Sequence, residues 1–125
     1  MTEEGNLTYF LAEKNGVLVV SFIGPLVRSN AHILDRCLKD VLARQVDWVI
    51  VSLRDVPGTV DRAVFPTFAR FQKAVRDKKA RLILASLHPV LHKALNDQAI
   101  VRPEESANNL ADALSRLVAP KVRAA

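Results

Sequence analysis

The chain has 125 residues, of which 50% are hydrophobic and 25% are charged. These proportions predict one globular domain and exclude an intrinsically disordered chain. No apolar run approaches the roughly 20 residues of a membrane span, and the polar N-terminus, MTEEGN, lacks the features of a secretory signal. A single cysteine excludes a framework of internal disulfides. We therefore expect one cytoplasmic domain over residues 1–125, with its core in about residues 7–118 and a frayed tail at 119–125.

The net charge of +5 is concentrated in one part of the chain. Seven basic residues and one acidic residue, Asp77, lie between Arg62 and Arg81. A basic patch of this kind can meet nucleic acid, an acidic lipid surface or an acidic protein. It can equally be a solvated helix face that has no partner.

The first part of the chain predicts a β-hairpin followed by a helix. Two strand-like runs, residues 7–12 and Val17–Ile23, flank Asn15-Gly16, a pair typical of the type I′ turn because both central residues need a positive φ. Ser29-Asn30 then offers side-chain oxygens that can cap a helix. The apolar residues of this helix recur at helical spacing; they are Ile33, Leu34, Cys37, Leu38, Val41 and Leu42.

Strands and helices then alternate. Residues 48–53 (WVIVSL) and 82–85 (LILA) are short, nearly continuous apolar runs, which are typical of interior strands covered on both faces. A turn at residues 55–59 (DVPGT) leads into a second helix that ends near Asp77, and His88-Pro89 starts a third helix.

The C-terminal part predicts a brief edge strand at residues 100–102 and a last amphipathic helix at residues 104–118. The resulting order is ββαβαβα(β)α. It predicts an α/β fold with a mixed, mostly parallel sheet of four or five strands, an antiparallel N-terminal hairpin and about four helices.

The second helix has two contrasting faces. On a helical wheel one side collects four apolar residues, and the opposite side collects four basic ones. The apolar set is Val64, Phe68, Phe71 and Val75, and the basic set is Arg62, Arg70, Lys73 and Arg76. We expect the phenylalanines to pack on the sheet and the basic set to face solvent.

Signatures of enzymes and of metal or cofactor sites are scarce. The four glycines, at positions 5, 16, 24 and 58, do not build a phosphate-binding loop, and no GxSxG motif occurs. Cys37 lies on an apolar helix face, which favours a buried side chain over a reactive thiol. His88 and His92 alone make a weak metal site, and His88 fits the start of a helix. We predict no catalytic activity, no cofactor and no metal.

Three segments together resemble the STAS domain family, which includes the bacterial anti-sigma-factor antagonists. VLVVSFIGPL (17–26), running into NAHILDRCLKDVLA, is similar to the family's strand, G-x-L and first-helix entry. WVIVSLRDV (48–56) is similar to the strand ending in D-L-S-x-V, and ARLILASLHPVLHKAL (80–95) to the strand followed by x-S-P-x-V-x-x-x-L. The resemblance covers about residues 7 to 118 and implies a STAS-like α/β domain.

The family's site is the loop and helix start after the third strand. Its usual pattern is D-S-S-G-L or D-S-T-G-L, and one hydroxyl is phosphorylated by a partner kinase that is also the anti-sigma factor. The resemblance places this pattern on Val60, Asp61, Arg62, Ala63 and Val64. Asp61 and Arg62 thus occupy the phosphosite-equivalent positions without a hydroxyl, so the family's phosphoryl transfer to a serine or threonine hydroxyl is excluded there.

Two roles for Asp61 are open at this point. Its carboxylate carries a charge of about −1, against roughly −1.5 to −2 for phosphoserine, so it can partly mimic the phosphorylated, partner-released state. It can equally cap the second helix. Thr59 and Thr67 are the nearest hydroxyls and therefore alternative acceptors. Pro66 predicts a kink or a later start of the helix.

The resemblance implies a non-catalytic regulatory module that works by binding protein. We expect the binding surface to comprise residues 59–64 with Arg70 and Lys73. The leading interpretation is a divergent bacterial anti-sigma-factor antagonist whose partner is an anti-sigma factor or switch kinase. The alternative is an accessory subunit of a membrane transporter or lipid-handling complex, and ligand or nucleotide binding in the site loop is less favoured because glycines are few. A homodimer is left open, and nucleic acid is not the expected partner.

Overall fold

A computed structural model describes residues 7–57, 61–98, 100 and 105–115. The strands are β1 Thr8–Lys14, β2 Val17–Ile23, β3 Trp48–Asp55, β4 Arg81–Ala85 and β5 Ser106–Ala107. The helices are α1 Ala31–Leu42, α2 Phe65–Asp77 and α3 Pro89–Asp97, followed by α4, which is helical over the described residues 110–115. Short 3₁₀ turns at Arg28–Asn30 and Arg62–Val64 precede α1 and α2. No helix in these ranges is both long and apolar enough to cross a membrane.

The five strands form one sheet in the order β1-β2-β3-β4-β5. β1 pairs antiparallel with β2, and β2 through β5 run parallel. The hairpin turn has positive φ at both Asn15 (54°) and Gly16 (81°), as a type I′ turn requires. The predicted mixed, mostly parallel α/β fold with an antiparallel hairpin is confirmed.

Each face of the sheet has its own apolar core. On one face, α1, α2 and α3 pack over the strands, and Phe68 and Phe71 of α2 are only 3% and 2% exposed. The other face carries a smaller cluster, in which Ile50 and Ile83 pack with Ala113 of α4. The phenylalanine face of α2 therefore packs inward as predicted, which directs the opposite face of that helix to solvent.

The C-terminal part corrects two predictions. The fifth strand is Ser106–Ala107, which pairs with Leu84 and Ala85, so residues 106 and 107 of the predicted helix 104–118 form a strand instead. Ile100 is not in a strand, and residues 101–104 and 116–125, including the predicted tail at 119–125, lie outside the described residues. Helix α4 begins after a cap in which the side-chain oxygen of Asn109 accepts the backbone N–H of Asp112 at 2.8 Å. This Asn-x-x-Asp spacing is a signal for the start of a helix, but the prediction followed the apolar periodicity and placed the start earlier.

The start of α1 also differs from the prediction. Asn30 is buried, and its side chain makes no capping hydrogen bond to the helix. The side-chain amide instead donates to the carbonyl oxygen of Pro25 at 2.9 Å. Asn30 therefore fixes the loop after β2, and a 3₁₀ turn at Arg28–Asn30 leads into the helix without a side-chain cap.

Candidate functional site

Asp61 is the anchor of the loop between β3 and α2. Its Oδ1 accepts the backbone N–H of Ala63 at 3.0 Å, which caps the 3₁₀ turn Arg62–Val64. Its Oδ2 accepts the backbone N–H of Arg28 at 2.7 Å, across 33 residues of sequence. One carboxylate therefore joins Arg28, the first residue of the 3₁₀ turn after β2, to Ala63, the second residue of the turn after β3.

The electrostatics of Asp61 agree with this geometry. The backbone N–H of Arg28, and after it that of Ala63, hold the pKa of the Asp61 carboxyl below its usual value, because both hydrogen bonds favour the charged form. Each oxygen of the carboxylate is engaged with a backbone donor. Capping, one of the two roles open for Asp61, is thus present in the structure, and the negative charge is directed at the backbone.

The rest of the sequence-predicted loop divides into exposed and buried parts. Arg62 and Ala63 are exposed, whereas Val64 is only 1% exposed and belongs to the main core. The side chain of Val64 therefore attaches the loop to the domain and does not offer a contact surface. Thr59 and Val60 lie outside the described residues.

Pro66 sets the place where α2 begins. The α-helix starts at Phe65, so Pro66 falls in its first turn, where a backbone N–H has no partner within the helix. The later start predicted from Pro66 is confirmed. One residue further on, Thr67 is only 8% exposed, so its hydroxyl is poorly placed to accept a phosphoryl group from a partner.

The basic side of α2 is only partly as predicted. Arg70 and Lys73 are exposed; Arg70 reaches Asp35 of α1 at 3.1 Å, and Lys73 reaches Asp77 at 3.0 Å. Both pairs are at the surface, where ion pairs contribute little to stability. These two cations therefore remain accessible to a partner.

Arg76 does not belong to that exposed face, which corrects the prediction. Its Nε donates to Oε2 of Glu105 at 2.8 Å, and its Nη2 donates to Oε1 at 2.5 Å. The Arg76 side chain is 26% exposed and that of Glu105 only 8%. The pair ties α2 to the segment that enters β5. The helical wheel gives the direction of Arg76 around the α2 axis, but it cannot predict an ion pair with a carboxylate 29 residues away.

Two other candidate residues have structural roles. Cys37 is buried in the main core, and burial raises the pKa of its thiol to about 12. His88 precedes α3, and its Nδ1 accepts the backbone N–H of Val90 at 3.2 Å, as predicted for a residue at a helix start. Within the described ranges, no three His, Cys, Asp or Glu side chains converge to hold a metal ion.

Solved structures of other proteins share this fold. The anti-sigma factor antagonist from Mycobacterium paratuberculosis has a TM-score of 0.75 at 16% identity, covering 92% of this chain and 96% of that one. The unphosphorylated form of the Bacillus antagonist SpoIIAA has a TM-score of 0.70 at 13% identity, covering 90% and 97%.

A sulfate transporter family protein from Wolinella succinogenes shares the fold with a TM-score of 0.72 at 23% identity, covering 84% of this chain and 87% of that one. No curated protein sequence matches the chain. The model of the STAS domain family matches residues 10–117. Since this match spans most of the sequence, the chain belongs to the STAS domain family.

Proposed function

We propose that this STAS domain is a non-catalytic regulatory module of the bacterial cytoplasm, a divergent anti-sigma-factor antagonist whose binding loop is held in one state by its own carboxylate. The observation that carries the proposal is the double engagement of Asp61, which accepts the backbone N–H groups of Arg28 and Ala63. SpoIIAA, a protein of similar fold, has solved structures in both its phosphorylated and its unphosphorylated form. In this chain neither Asp61 nor Arg62 offers a hydroxyl for such a change.

The physical consequence is that phosphorylation of a hydroxyl cannot change the charge of the loop at these two positions. A phosphate adds roughly −1.5 to −2 charge and new acceptor oxygens when it is transferred, and it is removed again by hydrolysis. The Asp61 carboxylate is permanent, and both of its oxygens are already used to hold the loop. Partner binding is therefore constitutive with respect to phosphorylation at residues 61 and 62.

The partner surface consists of residues 59–63 and the accessible basic side of α2, and buried Val64 holds the loop on the domain. Arg62, Arg70 and Lys73 are exposed on this side, so the surface fits an acidic face of an anti-sigma factor or switch kinase. Exposed charges of this kind mainly raise the rate of association and the specificity of a complex. They change the free energy of folding very little.

A second candidate is an accessory subunit of a transporter or lipid-handling complex. Its support is the likeness in fold to a sulfate transporter family protein, at 23% identity. In that setting the same basic side of α2 would dock on an acidic face of an ATPase subunit. A homodimer is compatible with either function.

The test compares two double variants that remove and reverse the same amount of charge. Arg70→Glu with Lys73→Glu changes the proposed surface, whereas Arg54→Glu with Lys93→Glu changes two side chains that are each 79% exposed and lie elsewhere. Affinities for purified kinase-type anti-sigma factors are measured by calorimetry over a range of salt concentrations. We expect the first pair to weaken binding by about tenfold or more, with unchanged thermal melts, and the control pair to leave it within about twofold.

Equal affinity of both double variants would contradict the assignment of the surface. Binding to a transporter ATPase subunit but to no anti-sigma factor would favour the second candidate. In that case the contribution of Arg70 and Lys73 would still be measured by the same pair of variants.

A further inference from the structure

A polar cleft lies at the opposite end of the parallel strands from the Asp61 loop. It is formed where β3 and β4 begin, has a volume of about 370 Å³, and is open to solvent. Trp48 and Arg81, the first residues of these strands, pair directly with each other in the sheet. Small-ligand sites in proteins start at about 300 Å³, so the cleft has room for a compact ligand.

The charged residues of the cleft fall into two groups. Arg76 and Glu105 bind each other through two hydrogen bonds and form a fixed wall. Lys79 and Arg81 also line the cleft, and within the described part of the chain neither has a carboxylate at salt-bridge distance. The cleft therefore offers two cations whose charge is not neutralised there.

The two cations differ in how firmly they are held. The guanidinium carbon of Arg81 lies 5.3 Å from the centroid of the Trp48 ring, a cation–π contact that orients the planar group. Lys79 follows α2 with a φ of 67°, a conformation that is uncommon for a residue with a side chain other than Asn, Asp or Gly. Its exposed side chain lines the cleft beside Arg81.

We propose that this cleft binds a small phosphate-bearing anion through Arg81 and Lys79. A guanidinium presents parallel N–H donors that match two oxygens of a phosphate, and a lysine ammonium adds a flexible point charge. Arg81 is pre-oriented by Trp48, so less side-chain freedom is lost when the anion binds. This site is separate from the protein-binding surface and does not depend on the function proposed for it.

The chain carries its own reporter for this site, because Trp48 is its only tryptophan. Sodium tripolyphosphate, which does not absorb in the near ultraviolet, is titrated into the full chain at a salt concentration on the order of 0.05 M, where screening is weak. Trp48 fluorescence and calorimetry follow binding in parallel. Vesicles of phosphatidylcholine with phosphatidic acid form a second arm, which separates a lipid headgroup from a soluble phosphate compound as the source of the anion.

The test variant is Lys79→Asn with Arg81→Gln. Asparagine tolerates the positive φ at position 79, so the charge is lost without added backbone strain. The control, Lys93→Gln with Arg54→Gln, also removes one lysine and one arginine charge, but from exposed sites outside the cleft. Should the double variant not fold, Lys79→Asn alone replaces it.

We expect saturable binding of tripolyphosphate to the unchanged chain, a loss of affinity of about tenfold or more in the test variant, and a change below about twofold in the control. Binding to the vesicles with the same dependence on Lys79 and Arg81 would support the proposal with a lipid as the source. Equal affinities in all three proteins, an absence of saturation, or binding of a polyglutamate peptide but not of tripolyphosphate would overturn it.

Discussion

Truncation of Phe68 to alanine tests the orientation of α2, on which the exposure of the proposed partner surface depends. Phe68 is 3% exposed and lies in the main core, so the substitution removes nearly a whole buried ring and leaves a cavity. Such changes cost about 3–5 kcal/mol. For a domain of this size about 1 kcal/mol corresponds to about 3–5 °C in the melting temperature, so we expect a fall of about 10–25 °C.

The matched control is Phe10→Ala, because Phe10 is 60% exposed on β1. Urea unfolding followed by circular dichroism should give a loss below about 1 kcal/mol for this variant. Phe68→Leu, with an expected loss of about 1 kcal/mol, provides a measurement if the alanine variant does not fold. Equal losses for Phe68→Ala and Phe10→Ala would refute the orientation of α2 and place a different side of that helix outward.

Three further predictions follow from individual contacts. The native pKa of Asp61 lies below its usual value, so the charged carboxylate stabilises the fold above the ordinary carboxyl pKa of about 3.9, and this stabilisation is lost as the pH falls through the lower native pKa. Thermal melts of Asp61→Asn should therefore show a loss of stability at pH 7 that becomes smaller below about pH 4. Glu105→Gln should cost about 1–3 kcal/mol in urea unfolding, because Arg76 loses its charged partner in a partly buried position, whereas Asp97→Asn at an exposed pair should cost less than about 0.5 kcal/mol. Cys37 should react with a thiol reagent only after denaturation, and rapid labelling of the native protein would contradict its burial.

Features with strong local signals were predictable from the sequence. The Asn15-Gly16 turn follows from the positive φ that both positions require. The inward face of α2 follows from the helical spacing of Phe68 and its apolar neighbours. The STAS resemblance placed the site loop after the third strand, and Asp61 is found there as a cap.

Features that depend on contacts between distant residues were not predictable. The hydrogen bond from Arg28 to Asp61 and the ion pair of Arg76 with Glu105 join residues far apart in the sequence, and no local sequence pattern predicts them. The two-residue strand Ser106–Ala107 is defined by its pairing with β4 and is too short to show an alternating pattern. These contacts exist only because parallel strands bring the ends of separate loops and helices together.

The measurement that tests the constitutive loop most directly is the affinity for a kinase-type anti-sigma factor, taken with and without ATP, combined with mass spectrometry of the chain afterwards. We expect the unchanged chain to bind equally well in both conditions and to carry no phosphate, whereas the Asp61→Ser variant, which restores a hydroxyl, should become phosphorylated and lose affinity when ATP is present. Stoichiometric phosphate on the unchanged chain, at Thr59 for example, together with an ATP-dependent loss of binding, would contradict the proposal that Asp61 holds the loop in a single binding state.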